Sequence, residues 1–194
     1  IIFASSGGEI YGEAKEIPTS ETYLPHPLSP YGVGKLAVEK YLDSYCRLFG
    51  ISYLALRFGN VYGPRQNPRG EAGVVAIFAD KMLKNEQPFI HGDGKQTKDY
   101  IFIDDAIEAS FRAFKNNFEG IINIGTGKET NVLDIFQKIK ELTKSTAKER
   151  HATFPVCGFR RGCLSIKKAK KELNWVPKFT IQEGLKRTVE WLRR

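Results

Sequence analysis

Two short apolar runs separated by one long amphipathic stretch constrain this 194-residue chain most. Ile1-Ile2-Phe3-Ala4-Ser5-Ser6 ends in small polar residues and reads as a buried strand arriving at a functional edge. After Pro30, the residues Leu36, Val38, Tyr41, Leu42, Tyr45 and Leu48 recur at helical spacing and predict a helix over about 31–49, closed by Gly50. Ile51–Phe58 then reads as a second buried strand. Strand, loop, helix, strand is the order of a parallel α/β sheet, whose ligands bind beyond the carboxyl ends of the strands. Both predicted strand ends are polar, Ser5-Ser6 and Gly59-Asn60. An apolar strand at residue 1 also implies residues upstream, since a core strand needs neighbours on both sides and a connection that delivers it.

The remaining pattern continues the same class. Gly7-Gly8 permit backbone conformations closed to other residues, allowing a tight turn or a close approach to a ligand. Pro18, Pro25, Pro27 and Pro30 make residues 12–30 an irregular loop. Gly63–Gly70 is a loop by composition, and a helix is expected from about 72 to 86. Phe89-Ile90-His91 and Tyr100–Ile103 read as extended. Asp104-Asp105 are placed to cap a helix over 104–115. Ile121–Ile124 is a third strand for the main sheet, followed by helices over about 131–143, 167–173 and 181–193.

Charge and cysteine content exclude several classes. From Lys144 onward the chain carries 14 Lys and Arg against 4 Asp and Glu, whereas 16 against 18 precede it. These basic residues alternate at helical spacing with Leu173, Leu185, Val189 and Leu192, so they read as solvated helix faces and no nucleic-acid partner is expected. No apolar run approaches the ~20 residues that span a bilayer, so no membrane partner is expected and the chain reads as cytoplasmic. Cys46, Cys157 and Cys163 are odd in number and lack C-x-x-C spacing, and His26, His91 and His151 are scattered, so no metal site is expected.

The stretch with chemical content is Ser29-Pro30-Tyr31-Gly32-Val33-Gly34-Lys35. Residues four apart on a helix share a face, so Tyr31 and Lys35 project side by side. An ammonium beside a phenol favours the phenolate, which brings the tyrosine toward proton transfer near neutral pH. Taken alone, Y-x-x-x-K more often marks a solvated helix face.

Six segments in order change that reading. They are Ser5-Ser6-Gly7-Gly8-Glu9-Ile10-Tyr11-Gly12; Ser29–Lys35; Arg57-Phe58-Gly59-Asn60-Val61-Tyr62-Gly63-Pro64-Arg65; Gly92-Asp93-Gly94 with Asp99-Tyr100-Ile101; Asn123-Ile124-Gly125-Thr126-Gly127; and Lys168–Trp175. With these the chain resembles the extended short-chain dehydrogenase/reductases, in particular the NAD-dependent epimerase/dehydratase family and its UDP-glucose 4-epimerase branch. The resemblance implies an α/β fold: the C-terminal part of a Rossmann-type parallel sheet with a smaller α/β substrate-binding domain, the N-terminal dinucleotide-binding half being absent. Residues 1–60 and 95–127 would form the partial Rossmann-type domain, and 61–94 with 128–194 mainly the substrate-binding domain.

The resemblance further implies NAD as cofactor, a nucleotide-sugar substrate such as UDP-glucose or UDP-galactose, and a homodimer through the helix over 31–49. Tyr31 would be the acid/base, with Lys35 on the nicotinamide ribose and Ser6 assisting. Ser5 and Phe58 would lie along the cofactor, and Asn60, Val74, Phe89 and His91 along the nucleotide part of the substrate. Where the family has Ser or Thr on the reacting hydroxyl, this chain has Gly7, which leaves the role to Ser6, to a water or to no group. Lys98 replaces an arginine, keeping a charge for pyrophosphate without the bidentate fork. Pro155-Val156-Cys157-Gly158 replaces Arg-Pro-Gly-Glu, leaving Arg160 and Arg161 as the nearest phosphate contacts. The family's G-x-x-G-x-x-G turn is absent from the chain. Glu9 keeps a UDP-glucuronate decarboxylase open as an alternative, and Gly7 keeps open a noncatalytic Rossmann-like binding protein.

Overall fold

The computed structural model describes residues 1–69 and 73–194. In chain order, β1 (Ile2–Ser6) runs into the short α1 (Gly7–Tyr11), and the proline-rich stretch delivers the long α2 (Pro30–Phe49). Its start and stop follow from sequence: Ser29 Oγ accepts the Gly32 amide at 3.1 Å, Pro30 stands at the first turn, and Gly50 takes the left-handed cap with φ 66°. There follow β2 (Leu54–Phe58), β3 (Asn60–Tyr62), α3 (Val74–Leu83), β4 (Ile90–His91), β5 (Thr97–Lys98), β6 (Tyr100–Phe102), α4 (Ile103–Lys115) and β7 (Gly120–Ile124). The chain then forms β8 (Thr130–Asn131), α5 (Val132–Thr143), β9 (His151–Ala152), α6 (Lys167–Leu173) and α7 (Ile181–Leu192).

The expected parallel sheet is present in the order β1-β2-β7, with Ser5, Arg57 and Asn123 on one rung. Leu54, Leu56, Ile122 and Ile124 pack with the alanines of α4 and with Ala169, Leu173 and Trp175. A second core joins α3, α5 and α7 through Phe78, Met82, Ile135, Phe136, Leu185 and Val189. The strand β6, paired in parallel with β3, serves both: Ile101 enters the first core, and Tyr100 and Phe102 enter the second. That alternation is the period of two of an extended chain.

Several local expectations are corrected. β2 starts at Leu54 rather than Ile51, and its first residue pairs with Ile2 of β1 and Gly120 of β7. Asp104-Asp105 do not cap α4, whose N-cap is Phe102. Asp105 is buried and accepts the amides of Lys178 and Phe179 at 2.9 and 3.1 Å, tying down the approach to α7. Gly70 and the expected helix onset at about 72 lie outside the described residues; α3 is helical from Val74. Gly7 and Gly8 take ordinary helical turns, and what they supply is room. A Cβ at Gly7 would lie 2.5 Å from Leu164 Cδ2, and one at Gly8 2.7 Å from Phe159 Cζ. The apolar residues of α2 largely face outward, Tyr41 and Leu48 being 67% and 71% exposed, while Gly32, Glu39 and Leu42 are buried.

Candidate active site

The carboxyl ends of β1 and β2 open into a cleft of about 300 Å³. Ser6 closes β1 on one wall, Gly59 and Asn60 follow β2 on another, and Tyr31 projects from the first turn of α2. Val74, at the start of α3, and the loop residue Gln66 close the far side, with Tyr100 and Phe159 beside them. The geometry therefore gathers Ser6, Tyr31, Asn60 and Val74 around one space.

Lys35 stands one helical turn below Tyr31. Its ammonium donates to the Ala4 carbonyl at 2.8 Å and lies 5.4 Å from the centroid of the Tyr31 ring and 4.9 Å from that of Phe3. The positive charge is thus fixed against the aromatic face and the strand end. Glu9 also lines the cleft, and its carboxylate accepts the Ser29 hydroxyl at 2.7 Å. Through Ser29, α1 is joined to the cap of the helix that carries Tyr31.

Behind the cleft lies a buried polar network. Glu39 of α2 receives Arg57 Nε at 3.0 Å, Arg57 Nη2 at 2.6 Å and Ser5 Oγ at 2.6 Å. Arg57 Nη1 donates to the Tyr11 hydroxyl at 2.8 Å, which donates to Asn123 Oδ1 at 2.9 Å. Burial pushes the Tyr11 phenol up against the lowering influence of Arg57, so it stays a neutral donor. Ser5, expected along a cofactor, has its hydroxyl committed to this network. The sequence offered two signals for it, a lone arginine inside the apolar run Leu54–Phe58 and a glutamate four residues after Lys35.

Asp99 holds the opposite side together. Burial pushes its carboxyl up, and hydrogen bonds from the Thr126 hydroxyl and from the amides of Thr126, Leu164 and Gly127 oppose that shift. Next to it, Lys98 donates to the Phe159 carbonyl at 3.1 Å. Burial lowers the Lys98 ammonium to about 7, against the raising influence of Glu9 and Glu13.

The other expected substrate residues are not among those that line this cleft. Phe89 is half exposed, and His91 Nδ1 lies 3.1 Å from the Thr153 carbonyl oxygen. Arg160 pairs with Asp93 at 2.8 Å, and Arg161 is turned onto Glu129 through two contacts at 3.1 and 2.7 Å. Phe58 borders an apolar groove with Ile2, Val61 and Ile103. Gln66 and Phe159 were missed by sequence reasoning. Each reaches the cleft from a loop, where no periodic pattern marks the direction of a side chain.

The model of the NAD dependent epimerase/dehydratase family matches residues 1–125. Across 193 residues the chain is 46% identical to a putative UDP-glucose 4-epimerase of Methanocaldococcus jannaschii, covering 100% of this chain and 63% of that relative. Among solved structures it superposes with a TM-score of 0.93 on the UDP-glucose 4-epimerase of Thermotoga maritima with UDP-glucose, at 45% identity, covering 99% of this chain and 62% of that one. The UDP-glucose 4-epimerase of Thermus thermophilus in complex with NAD gives a TM-score of 0.91 at 38% identity, over 99% and 63% of the two chains. The chain thus spans a little over three-fifths of the length of these relatives.

Proposed function

Because the chain belongs to the NAD-dependent epimerase/dehydratase family, we propose that it supplies the catalytic and sugar-binding residues of a nucleotide-sugar 4-epimerase acting on UDP-glucose and UDP-galactose. The observation that carries this reading is Tyr31 at the cleft with the Lys35 ammonium anchored on Ala4 beneath it. The names of the relatives support the substrate class.

The residues present fit the nicotinamide end of NAD. An ammonium, a phenol and the Ser6 hydroxyl converge at the carboxyl end of a parallel strand, where such cofactors bind. Lys35 and Tyr31 would hold the ribose, and Phe58 would lie along the cofactor. When bound, NAD supplies an acceptor for the hydrogen on the sugar carbon that bears the reacting hydroxyl, and returns it afterwards.

Tyr31 takes the proton of that hydroxyl, and Ser6 orients the oxygen between them. The keto sugar turns within the cleft, and Tyr31 then gives the proton back on the other face. Asn60, Val74, Phe89 and His91 would lie along the nucleotide, and Lys98, Arg160 and Arg161 near its diphosphate. We assign 61–94 and 128–194 mainly to substrate binding, because α3, α5 and α7 share a core of their own. The outward apolar face of α2 supports a homodimer formed through that helix.

One observation favours a second reading. Glu9 places a carboxylate in the cleft, as a UDP-glucuronate decarboxylase requires. The test is turnover by the full-length protein with NAD. Interconversion of UDP-glucose and UDP-galactose is expected, and Tyr31→Phe lowers kcat by about 10²–10⁴-fold, the usual contribution of a general acid/base. Carbon dioxide released from UDP-glucuronate would favour the decarboxylase, and no turnover of any nucleotide sugar with NAD bound would refute an enzyme.

A further inference from the structure

The helix that carries Tyr31 and Lys35 is held by little apolar packing. Of its twenty residues Gly32, Glu39 and Leu42 are buried, while Val33, Val38, Tyr41, Tyr45, Leu48 and Phe49 are exposed. Polar anchors tie it to the strands of this chain. Ser29 serves at the cap, and Glu39, 1% exposed, serves in the third turn.

The Glu39 carboxylate meets the planar Arg57 guanidinium through two parallel N–H donors, which fixes direction as well as distance. Arg57 is itself held on several sides. Its backbone lies in β2 between β1 and β7, and its guanidinium lies 4.9 Å from the Tyr11 ring centroid while donating to that hydroxyl. Residues 31, 35 and 39 follow one another at four-residue intervals, so a rotation of α2 at Glu39 carries to Lys35 one turn away and to Tyr31 two turns away.

We propose that Glu39 and Arg57 are positioning residues for the reaction. The pair sets the rotation of α2 about its axis, so that Lys35 reaches the Ala4 carbonyl and Tyr31 lines the cleft with Ser6. This inference rests on the reading of Tyr31 as acid/base. A purely structural role is separable from it, because replacing a buried ion pair by apolar residues of similar volume is often neutral for stability. Apolar side chains impose no comparable direction.

The experiment combines Glu39→Leu with Arg57→Met in the NAD-loaded full-length protein. It follows the thermal midpoint, kcat, KM and the NMR resonance of ¹³C-labelled Tyr31, assigned by Tyr31→Phe. The expected result is a KM close to wild type, a midpoint lowered only by the orphaned Ser5 hydroxyl, a displaced Tyr31 resonance, and kcat down about a hundredfold, the effect of a misplacement near 1 Å. Should the double variant not fold, Arg57→Lys keeps the charge without the fork and gives the same split at about tenfold. A kcat that tracks the midpoint, with the Tyr31 resonance unmoved, overturns the proposal. Undiminished turnover in Tyr31→Phe would instead overturn the acid/base reading, and the Tyr31 resonance would still report whether the pair orients the helix.

Discussion

The Ser29 hydroxyl donates to Glu9 Oε2 at 2.7 Å while accepting the Gly32 amide at 3.1 Å. One side chain thus caps α2 and joins it to α1. Ser29→Ala removes both bonds and should cost about 1 kcal/mol for the lost cap. Urea unfolding monitored by circular dichroism measures this, and an unchanged midpoint would show that the cap is redundant.

Lys35 offers a separate test of the proposed chemistry. Its ammonium donates to the Ala4 carbonyl and lies against the Tyr31 ring, so its electrostatic effect falls on the phenol and on that carbonyl. In Lys35→Met the phenolate loses that support, and the rising limb of the pH–kcat profile should move to higher pH. An unmoved limb would remove Lys35 from the tuning of Tyr31.

Lys98 gives stability, and the proposed diphosphate binding, a dependence on pH. Burial lowers its folded value to about 7, from an ordinary 10.5. Between those values the unfolded chain binds more protons than the folded one, so the contribution of Lys98 to stability rises with pH across the window and is least favourable below about 7. Binding of a diphosphate should run the other way, weakening above pH 7 as the ammonium discharges. Calorimetric titration with UDP at pH 6 and pH 8.5 checks this, and Lys98→Arg should abolish the difference because a guanidinium stays charged.

Gly7 stands where the family places a hydroxyl, and the space there is filled. A Cβ would lie 2.5 Å from Leu164 Cδ2, in the buried cluster with Tyr11 and Ala14. Gly7→Ser should therefore destabilise by about 1–3 kcal/mol through overpacking, without raising activity. Adding Leu164→Ala should recover part of that loss, since it opens the site the serine needs. Thermal unfolding of the single and double variants decides whether Leu164 is the obstacle.

Much of the fold was legible because it is local. Pro30 and Gly50 bracket α2 with chemistry that acts within one turn, and the runs at Ile1–Ser6 and Ile121–Ile124 announce buried strands by composition. Tyr31 and Lys35 were legible as neighbours because four-residue spacing on a helix guarantees a shared face. Asp105 was misplaced as a cap because its partners, the amides of Lys178 and Phe179, lie more than seventy residues away.

By itself, then, the sequence determined the order of the longer helices and of β1, β2 and β7, the parallel sheet and the Tyr31–Lys35 pair, all of which follow from backbone periodicity and short-range capping. Only the tertiary structure decided that Ser5, Arg57 and Asn123 form one buried polar rung closed by Glu39, that Leu164 occupies the space beside Gly7, and that Phe159 reaches the cleft. The physical reason is register. Strand pairing and helix rotation set which distant side chains meet, and a shift of one residue would send Ser5, Arg57 or Asn123 to the opposite face of the sheet.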